Sequence, residues 1–508
     1  LFEARAQPAD LQADSSRLLI KMAQSPPVCD KVTTEASPDW SRMEQEHQGP
    51  HQKAFKINLD RQRYGTFAEI GAGQEVARWF FRVGGASGTV AKTISAYDMA
   101  VSDAIYGTTT RYVSRQRLEA MLEREYGLLL ERLDASLGEK VAFFVFANTV
   151  CTRGYTNQEY AHGWMGIRFQ PRPRHEPSEI VVHMSVRDRD RDREQETYGI
   201  AGVNLIYAAA YHSDRPEDLI RTLMDDLTRE HIEIDMIRFS GPAFPGLDNR
   251  LMALQLVQNG LTELAMFRAD GEVAQPGDLI YKKPVLIQRG SFRPMTIPVM
   301  EMMESAGRQF AADPEVQGSE PLILREMTLR NLLADGAIDH ADFLARVDIL
   351  SVFGNPVLIS NLSRYYQMGE HLARYTRKPI GMVLGIRHLQ EIFDERYYTD
   401  LDGGILEAFG RLFKAQVRLL LYPSKDDKLG KVITAETVAI PPHLSHLHAY
   451  LLENRLVEPI REYNQNSLHM NPRDARSRIQ SGDSSWEEMV PPAIVQTIKD
   501  KHLFGCRG

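Results

Sequence analysis

Residues 66–73, Thr-Phe-Ala-Glu-Ile-Gly-Ala-Gly, run from a strand-sized apolar segment into a Gly-x-Gly turn. Beyond the turn, Val76, Trp79, Phe80 and Val83 recur at i, i+3, i+4 and i+7, which is one face of a helix over 74–83. Gly84-Gly85 stops it, since glycine readily takes the left-handed conformation that follows a helix. Residues 89–96 read as a second strand. Strand, glycine turn, helix and strand make a βαβ unit, and two parallel strands joined through a helix commit the chain to the α/β class.

The same rhythm returns further along. Helical character over 115–133 precedes a buried strand at 141–149, and 164–169 with 180–186 read as an antiparallel strand pair around a Pro/Arg loop at 170–179. The alternating Arg/Asp run 187–194 reads as a solvated loop. Helix 219–228, strand 232–239, helix 249–258 and strand 264–267 follow. A polar break at 311–320 precedes helical stretches at 322–333 and 341–347, strand 356–360, helix 364–375, strand 380–384, helices 388–393 and 405–413, strand 417–422 and a helix at 444–454. The expected fold is α/β, with mostly parallel Rossmann-like sheets carrying helices on both faces. The expected division is a disordered or partner-docking tail (1–54), a Rossmann-like domain with an antiparallel insertion (55–310), a second α/β unit (321–430) and a C-terminal extension (431–508).

Length supports more than one core, because domains average roughly 150 residues and the chain has 508. A net charge of −8 argues against a dominant nucleic-acid surface, which needs an excess of Lys and Arg. Three widely spaced cysteines, Cys29, Cys151 and Cys506, build neither a disulfide framework nor a CxxC knuckle, which points to a reducing compartment, cytoplasm or organelle interior. No apolar run approaches the ~20 residues of a membrane span. The tail is polar apart from Leu18-Leu19-Ile20 and Met22, a candidate docking point. Position 1 is Leu, so a chain cut from a longer product is expected.

Gly71 and Gly73 suit a tight turn that brings backbone amides to a ligand, with the helix beginning near Gln74 supplying a partial positive charge. Asp98 closes the second strand 25 residues after Gly73, near the position of a ribose-binding acid in dinucleotide folds. Val76 stands where the third small residue of that fingerprint belongs, and the carboxylate of Glu75 would repel a pyrophosphate. Glu69-Ile-Gly-Ala-Gly also resembles the first motif of S-adenosylmethionine-dependent methyltransferases, where an acid precedes the glycines and the ligand is cationic. S-adenosylmethionine, NAD or an ATP-type nucleotide are the ligands this pattern admits. A purely structural glycine turn is the competing reading.

Residues 86–93 have the spacing of a P-loop with alanine at both defining glycine positions, so they cannot wrap a phosphate. Lys92 is a candidate phosphate or acid partner, or else a lysine paired with Asp98 or Asp103. His443, His446 and His448 lack a Cys or a clear carboxylate to complete a zinc set, and no metal site is expected. His162 precedes Gly163-Trp164 on an expected loop and reads as structural. No Gly-x-Ser-x-Gly elbow occurs. Apolar anchors from Trp486 to Phe504 are expected to clamp the C-terminal segment onto a domain surface or a neighbouring subunit.

Five phrases carry a family resemblance: Phe67-Ala-Glu-Ile-Gly-Ala-Gly-Gln-Glu-Val, Ser95-Ala-Tyr-Asp-Met, Tyr281-Lys-Lys-Pro-Val, Gly354-Asn-Pro-Val-Leu-Ile-Ser-Asn and Leu401-Asp-Gly-Gly-Ile-Leu-Glu-Ala-Phe-Gly-Arg-Leu-Phe. From about Phe55 to Gly505 the chain resembles a family of soluble α/β proteins labelled either TonB-dependent receptor or nicotinate-nucleotide adenylyltransferase. The first label implies a barrel of alternating strands, which helices throughout this chain oppose. The second implies nucleotidyl transfer. Its His-x-Gly-His is absent, and its Ile-Ser-x-Thr-x-x-Arg is only echoed by Ile359-Ser360-Asn361-Leu362-Ser363-Arg364. No catalytic residue carries over.

Two functional readings result. One is a protein that holds a nucleotide-type cofactor at Gly71, Gly73, Asp98 and Lys92, with nucleotidyl or methyl transfer as its chemistry. The other is a non-catalytic subunit that docks onto a larger assembly through its N- and C-terminal tails.

Overall fold

The computed structural model describes residues 48–153, 161–188, 190–333, 336–425, 430–468, 470 and 472–506. The expected tail, with its Leu18 patch, lies outside them up to residue 47. Helix α1 (Pro50–Leu59) leads into β1 (Arg63–Gly71), α2 (Glu75–Arg82), β2 (Val90–Ile94), α3 (Met99–Tyr106), α4 (Arg115–Leu137) and β3 (Ala142–Cys151). Strands β4 (Ala161–Phe169) and β5 (Ser178–Val186), helices α5 (Arg191–Tyr211) and α6 (Pro216–Thr222) and strand β6 (Ile232–Ser240) complete a sheet of order β2-β1-β3-β4-β5-β6. Strand β1 pairs in parallel with β2 and β3, and each pair from β3 to β6 is antiparallel.

The second sheet begins after α7 (Asn249–Gln258). It draws on β7 (Leu264–Phe267), β8 (Val273–Ala274), α8 (Pro276–Ile280), β9 (Val285–Arg289), α9 (Ile297–Ala311), β10 (Leu322–Thr328), α10 (Leu329–Leu332) and α11 (His340–Ser351). Then come β11 (Val357–Ser360), α12 (Tyr365–Leu372), β12 (Ile380–Gly385), α13 (Ile386–Ile392), α14 (Gly404–Lys414) and β13 (Val417–Tyr422). A small hairpin, β14 (Ser424–Lys425) and β15 (Val432–Ile433), precedes α15 (Ser445–Glu453), β16 (Val457–Pro459), α16 (Pro472–Ser481) and α17 (Pro492–Asp500). The strand order is β16-β13-β12-β9-β10-β11-β7-β8, parallel from β16 to β11 and antiparallel at the β7–β8 edge. The architecture is therefore α/β with mixed sheets, and the larger sheet is mostly parallel.

Alternation along the strands sends side chains to both faces of the first sheet. Phe67, Phe144, Phe146 and Val182 pack with Val76 and Phe80 of α2 and Val203 and Ile206 of α5. Ala68, Val145 and Val181 pack on the opposite face with Leu118, Met121 and Leu122 of α4. That second cluster extends to Val357 and Ile359 of the other sheet, to Phe343, Val347 and Leu350 of α11, and to Trp486, Ile494 and Ile498 of the C-terminal segment. The apolar anchors of that segment thus close on the chain's own body, and Lys501 adds an ion pair to Asp348 at 2.8 Å. Among the described residues no helix is long and apolar enough to cross a membrane.

Two expectations are corrected. The run 187–194 was expected as a solvated loop, yet α5 starts inside it, capped by the Asp190 carboxylate on the amides of Asp192 and Arg193. Its continuation from Thr197 to Ala209 is buried almost throughout, so no polar stripe marks a helical period in the sequence. Residues 322–333 were expected as one helix but form β10 and the single turn α10. The charges that resembled a solvent face are inside: Glu326 accepts from Arg289 at 2.8 and 2.9 Å and from the Ser360 hydroxyl at 2.5 Å, and Arg325 donates to Gln288.

Helix α5 approaches α2 closely because Gly202 faces it. A Cβ there would lie 2.4 Å from Cγ2 of Val76 and 3.0 Å from the Phe146 ring, whereas Gly127 on the exposed side of α4 has no neighbour within 4 Å. Gly127→Ala should stabilise the protein by up to about 1 kcal/mol through helix propensity, and Gly202→Ala should destabilise it by about 1–3 kcal/mol through overpacking. Urea unfolding of both variants decides this. Shifts of the same sign would contradict the close packing of α5.

Candidate functional site

The glycine turn ends β1 at the carboxyl edge of the first sheet. Gly71 has φ of 77° and a Cβ on it would lie 2.2 Å from the Val150 carbonyl oxygen, so the position needs glycine for both conformation and space. Gly73 is closed over by a side chain: a Cβ would meet Oδ1 of Asn148 at 2.3 Å. The Asn148 amide donates to the Gly73 carbonyl at 3.0 Å and to Glu69 at 3.3 Å. Gln74 donates to the Gly71 carbonyl at 2.7 Å and to the Ser95 hydroxyl at 2.8 Å. The turn is thus fastened on both sides by side-chain amides.

Glu69, one of the acids singled out by the motif, points inward. Its carboxylate accepts from the amides of Val76 and Ala77 at 3.1 and 3.2 Å, in the first turn of α2. These are donors a helix start leaves without intrahelical partners, so the chain's own carboxylate answers the positive end of α2. Burial pushes the Glu69 carboxyl up from 4.5 to about 7, against the pull of the two amides and Asn148.

The other two sequence candidates stand apart from the turn. Asp98 is the N-cap of α3 and accepts from the Val101 amide at 3.1 Å. Lys92 faces α4, where it donates to Glu125, which also accepts from the Tyr106 hydroxyl at 3.0 Å. Asp103, an expected partner of Lys92, instead holds Arg117 at 2.6 Å and the Tyr112 hydroxyl at 2.8 Å. Lys92 pairs in register with Thr66, two residues before Ala68 on the α4 face of β1, so the sheet separates it from α2. Gly71 and Gly73 share one turn, while Asp98 caps α3 and Lys92 is held by Glu125 of α4.

An open groove of about 400 Å³ lies beside the turn, between α2 and the carboxyl end of β2. Gln74, Arg78, Phe81 and Arg82 form one wall, and Thr93, Ile94 and Ser95 the other. Phe81 is 55% exposed. Arg78 pairs with Glu75 at 3.0 Å and remains 61% exposed, and the Arg82 guanidinium lies 5.2 Å from the Trp79 ring centre. With Glu69 also lining it, the groove offers two cations, one carboxyl group, an aromatic face and neutral polar groups. Sequence reading followed the buried stripe of this helix and passed over its outer face, where Arg78 and Arg82 stand at i, i+4 beside an off-stripe Phe81.

Among the described residues no group of three or more His, Cys, Asp or Glu side chains is arranged to hold a metal ion. His443 pairs with Glu395 at 2.7 Å, and His448 is buried against Phe393. His162 lies on strand β4, where a loop was expected.

Neither a protein-family model nor a curated protein matches the chain. Solved structures that resemble part of it include the competence/damage inducible protein CihA from Agrobacterium tumefaciens, 17% identical over 31% of this chain and 94% of that one, at a TM-score of 0.24. The competence damage-inducible protein A from Klebsiella pneumoniae is 12% identical over 32% of this chain and 94% of that one, at 0.23. A competence-damaged protein superfamily member from Enterobacter cloacae is 10% identical over 36% and 99%, at 0.24. Likeness at this level carries no functional argument.

The raised Glu69 carboxyl has a stability consequence. The folded protein binds this proton more tightly than the unfolded chain, so stability falls as pH rises from 4.5 through about 7. Glu69→Gln removes the titration. Between pH 5 and pH 8 the natural protein should lose about 2–3 kcal/mol more than the variant, measured by urea unfolding at each pH. Equal losses would show that Glu69 titrates alike in both states.

Proposed function

We propose that this chain binds a nucleotide-type ligand in the groove between α2 and the carboxyl end of β2. The observation that carries the reading is the pairing of two exposed guanidinium groups, Arg78 and Arg82, with the exposed ring of Phe81 in a groove of about 400 Å³. That volume lies within the range of small-molecule sites, and the carboxyl ends of strands are where α/β sheets accept ligands. Guanidinium groups suit phosphate or carboxylate oxygens, and a phenyl face suits a planar base. Gln74, Thr93 and Ser95 add groups that can hydrogen-bond a ribose.

In this reading the glycine turn supports the wall of the groove, and Glu69 already occupies two of the helix-start amides. The anion therefore belongs on Arg78 and Arg82. S-adenosylmethionine, NAD and ATP-type nucleotides all combine an anionic group with a planar base, and cofactor-dependent transfer, nucleotidyl or methyl, is the corresponding chemistry. Docking through the C-terminal tail is less favoured, because Trp486, Ile494 and Ile498 are already buried within the chain.

A thermal-shift panel of NAD, NADP, S-adenosylmethionine, ATP and nicotinate mononucleotide tests the proposal. A ligand present at 100 times its dissociation constant stabilises the fold by about 2.7 kcal/mol, which is readily seen. At least one should shift the natural protein, the shift should vanish in Arg78→Ala/Arg82→Ala, and it should persist in Asp98→Ala. No shift with any ligand, or a shift unchanged in the double arginine variant, would overturn it.

A further inference from the structure

At the amino edge of the second sheet, the segments that lead into β9 and β12 carry one pattern, Lys282-Lys283-Pro284-Val285 and Arg377-Lys378-Pro379-Ile380. The two strands are parallel neighbours with Val285 opposite Ile380, so the cations of one segment stand level with those of the other. Hydrogen bonding continues below the strands. The Val285 amide donates to the Pro379 carbonyl oxygen at 3.0 Å, and the Ile380 amide to that of Gln416 at 3.2 Å. Gln416 precedes β13, whose Val417 is opposite Ile380, and by residue count this brings Lys414 level with Arg377. Lys282, Lys283, Arg377, Lys378 and Lys414 therefore lie on three neighbouring segments, and at roughly 4.8 Å between strands the row is about 10 Å wide.

Thr376 fastens two of these segments together. Its buried hydroxyl donates to the Lys283 carbonyl oxygen at 2.8 Å and accepts from the Lys378 amide at 3.1 Å. Pro284 and Pro379 are buried, and a residue before proline is held extended, which constrains Lys283 and Lys378. All five cations are exposed, and none forms an ion pair with a described residue. Glu320, level with Lys283 on the segment before β10, is exposed and takes none of them. Arg374 is turned instead to Glu233, 3.6 Å away. Helices α12 and α14 end here, and a helix C-terminus favours cations. Two such ends supply only about half a negative charge each, too little to answer the row. Like charges in adjacent register repel, so the arrangement lacks a counter-charge. Beside it, Tyr281 is 58% exposed, with the Lys282 ammonium 4.9 Å from its ring centre.

We propose that this row binds single-stranded nucleic acid, with phosphates on the five cations and a base on the ring of Tyr281. Ammonium and guanidinium groups suit phosphate oxygens, and an exposed aromatic ring beside a basic track is how single strands are held without regard to sequence. Peripheral binding to a membrane needs a buried apolar face as well as charge, and these segments expose one aromatic ring and no large aliphatic side chain. An acidic peptide would satisfy the cations but has no planar base for Tyr281. The net charge of −8 gives the chain no general attraction for a polyanion, so binding depends on this local concentration of cations. The fold creates it, because Lys283 and Thr376 are 93 positions apart in the chain. The groove beside α2 belongs to the first sheet, and the two proposals stand or fall separately.

The test is fluorescence anisotropy of labelled oligouridylate and oligothymidylate with the full chain, alongside phosphatidylserine vesicles and polyglutamate. Both single strands should bind at about 50 mM salt, and with four or five phosphates engaged log affinity should fall against log salt with a slope of about −3. Lys282→Gln/Lys283→Gln/Arg377→Gln/Lys378→Gln, confirmed folded by its thermal transition, should bind about tenfold or more weakly, with the slope flattened to about −1. Tyr281→Ala should weaken binding by about fivefold or more and leave the slope unchanged, which separates base stacking from charge. Arg78→Ala/Arg82→Ala should bind the strands as the natural protein does. Absence of binding to either strand at low salt, or binding that the quadruple variant retains with the same slope, would overturn the proposal. So would binding of vesicles or polyglutamate in preference to the single strands, which would reassign the row to a membrane or an acidic protein.

Discussion

The carboxylate of Glu69 holds together the elements from which the first sheet is built. It sits near the end of β1, takes two amides from the first turn of α2, and shares the side chain of Asn148 from β3. A strand, its neighbour and the covering helix are thus joined at one buried point, and the direction in which α2 leaves the sheet is set there. A buried carboxyl group is costly unless hydrogen bonds answer it. Here they come from backbone amides that burial would otherwise leave unmet. The position of Phe80 over Phe67 and of Arg78 and Arg82 at the groove follows from that fastening.

The second sheet uses a comparable device. Arg289 at the end of β9 holds Glu326 of β10 with two hydrogen bonds and also reaches the carbonyl oxygens of Leu362 and Ser363. Ser360 of β11 joins the same carboxylate. Three adjacent parallel strands are therefore tied at their carboxyl ends by one guanidinium–carboxylate pair. Such pairs add little net stability compared with apolar replacements. Their geometric demands nonetheless penalise a slipped register, because a shift of one residue sends every side chain to the opposite face.

Features with a local signature were legible in the sequence. The βαβ unit, the apolar strand β3 and the β4–β5 pair all follow from periodicity and glycine or proline punctuation within short windows. Helix α5 was not, because a helix buried all round has no polar face to reveal its period. Strand β10 was not, because Arg325 and Glu326 resemble solvent-facing charges until Gln288, Arg289 and Ser360 are brought beside them. The candidate sites divide in the same way. Gly71 and Gly73 are a local motif and share one turn, whereas the Glu125 that takes Lys92 lies on a helix 33 positions away. The contacts that join Asp235, His183 and His162 together span a longer range still, contributed by three strands.

The C-terminal segment bears on the order in which the molecule is assembled. Trp486, Ile494 and Ile498 belong to the same apolar cluster as Leu118 of α4, Val145 of β3 and Phe343 of α11. Contacts so distant along the chain are slow to form, since the intervening polypeptide must be ordered before they contribute. During synthesis the face of α11 that receives α17 stays uncovered until α17 itself has left the ribosome. For that interval the nascent chain presents an apolar surface that the folded protein hides, and protection by a chaperone would matter most while that surface is open.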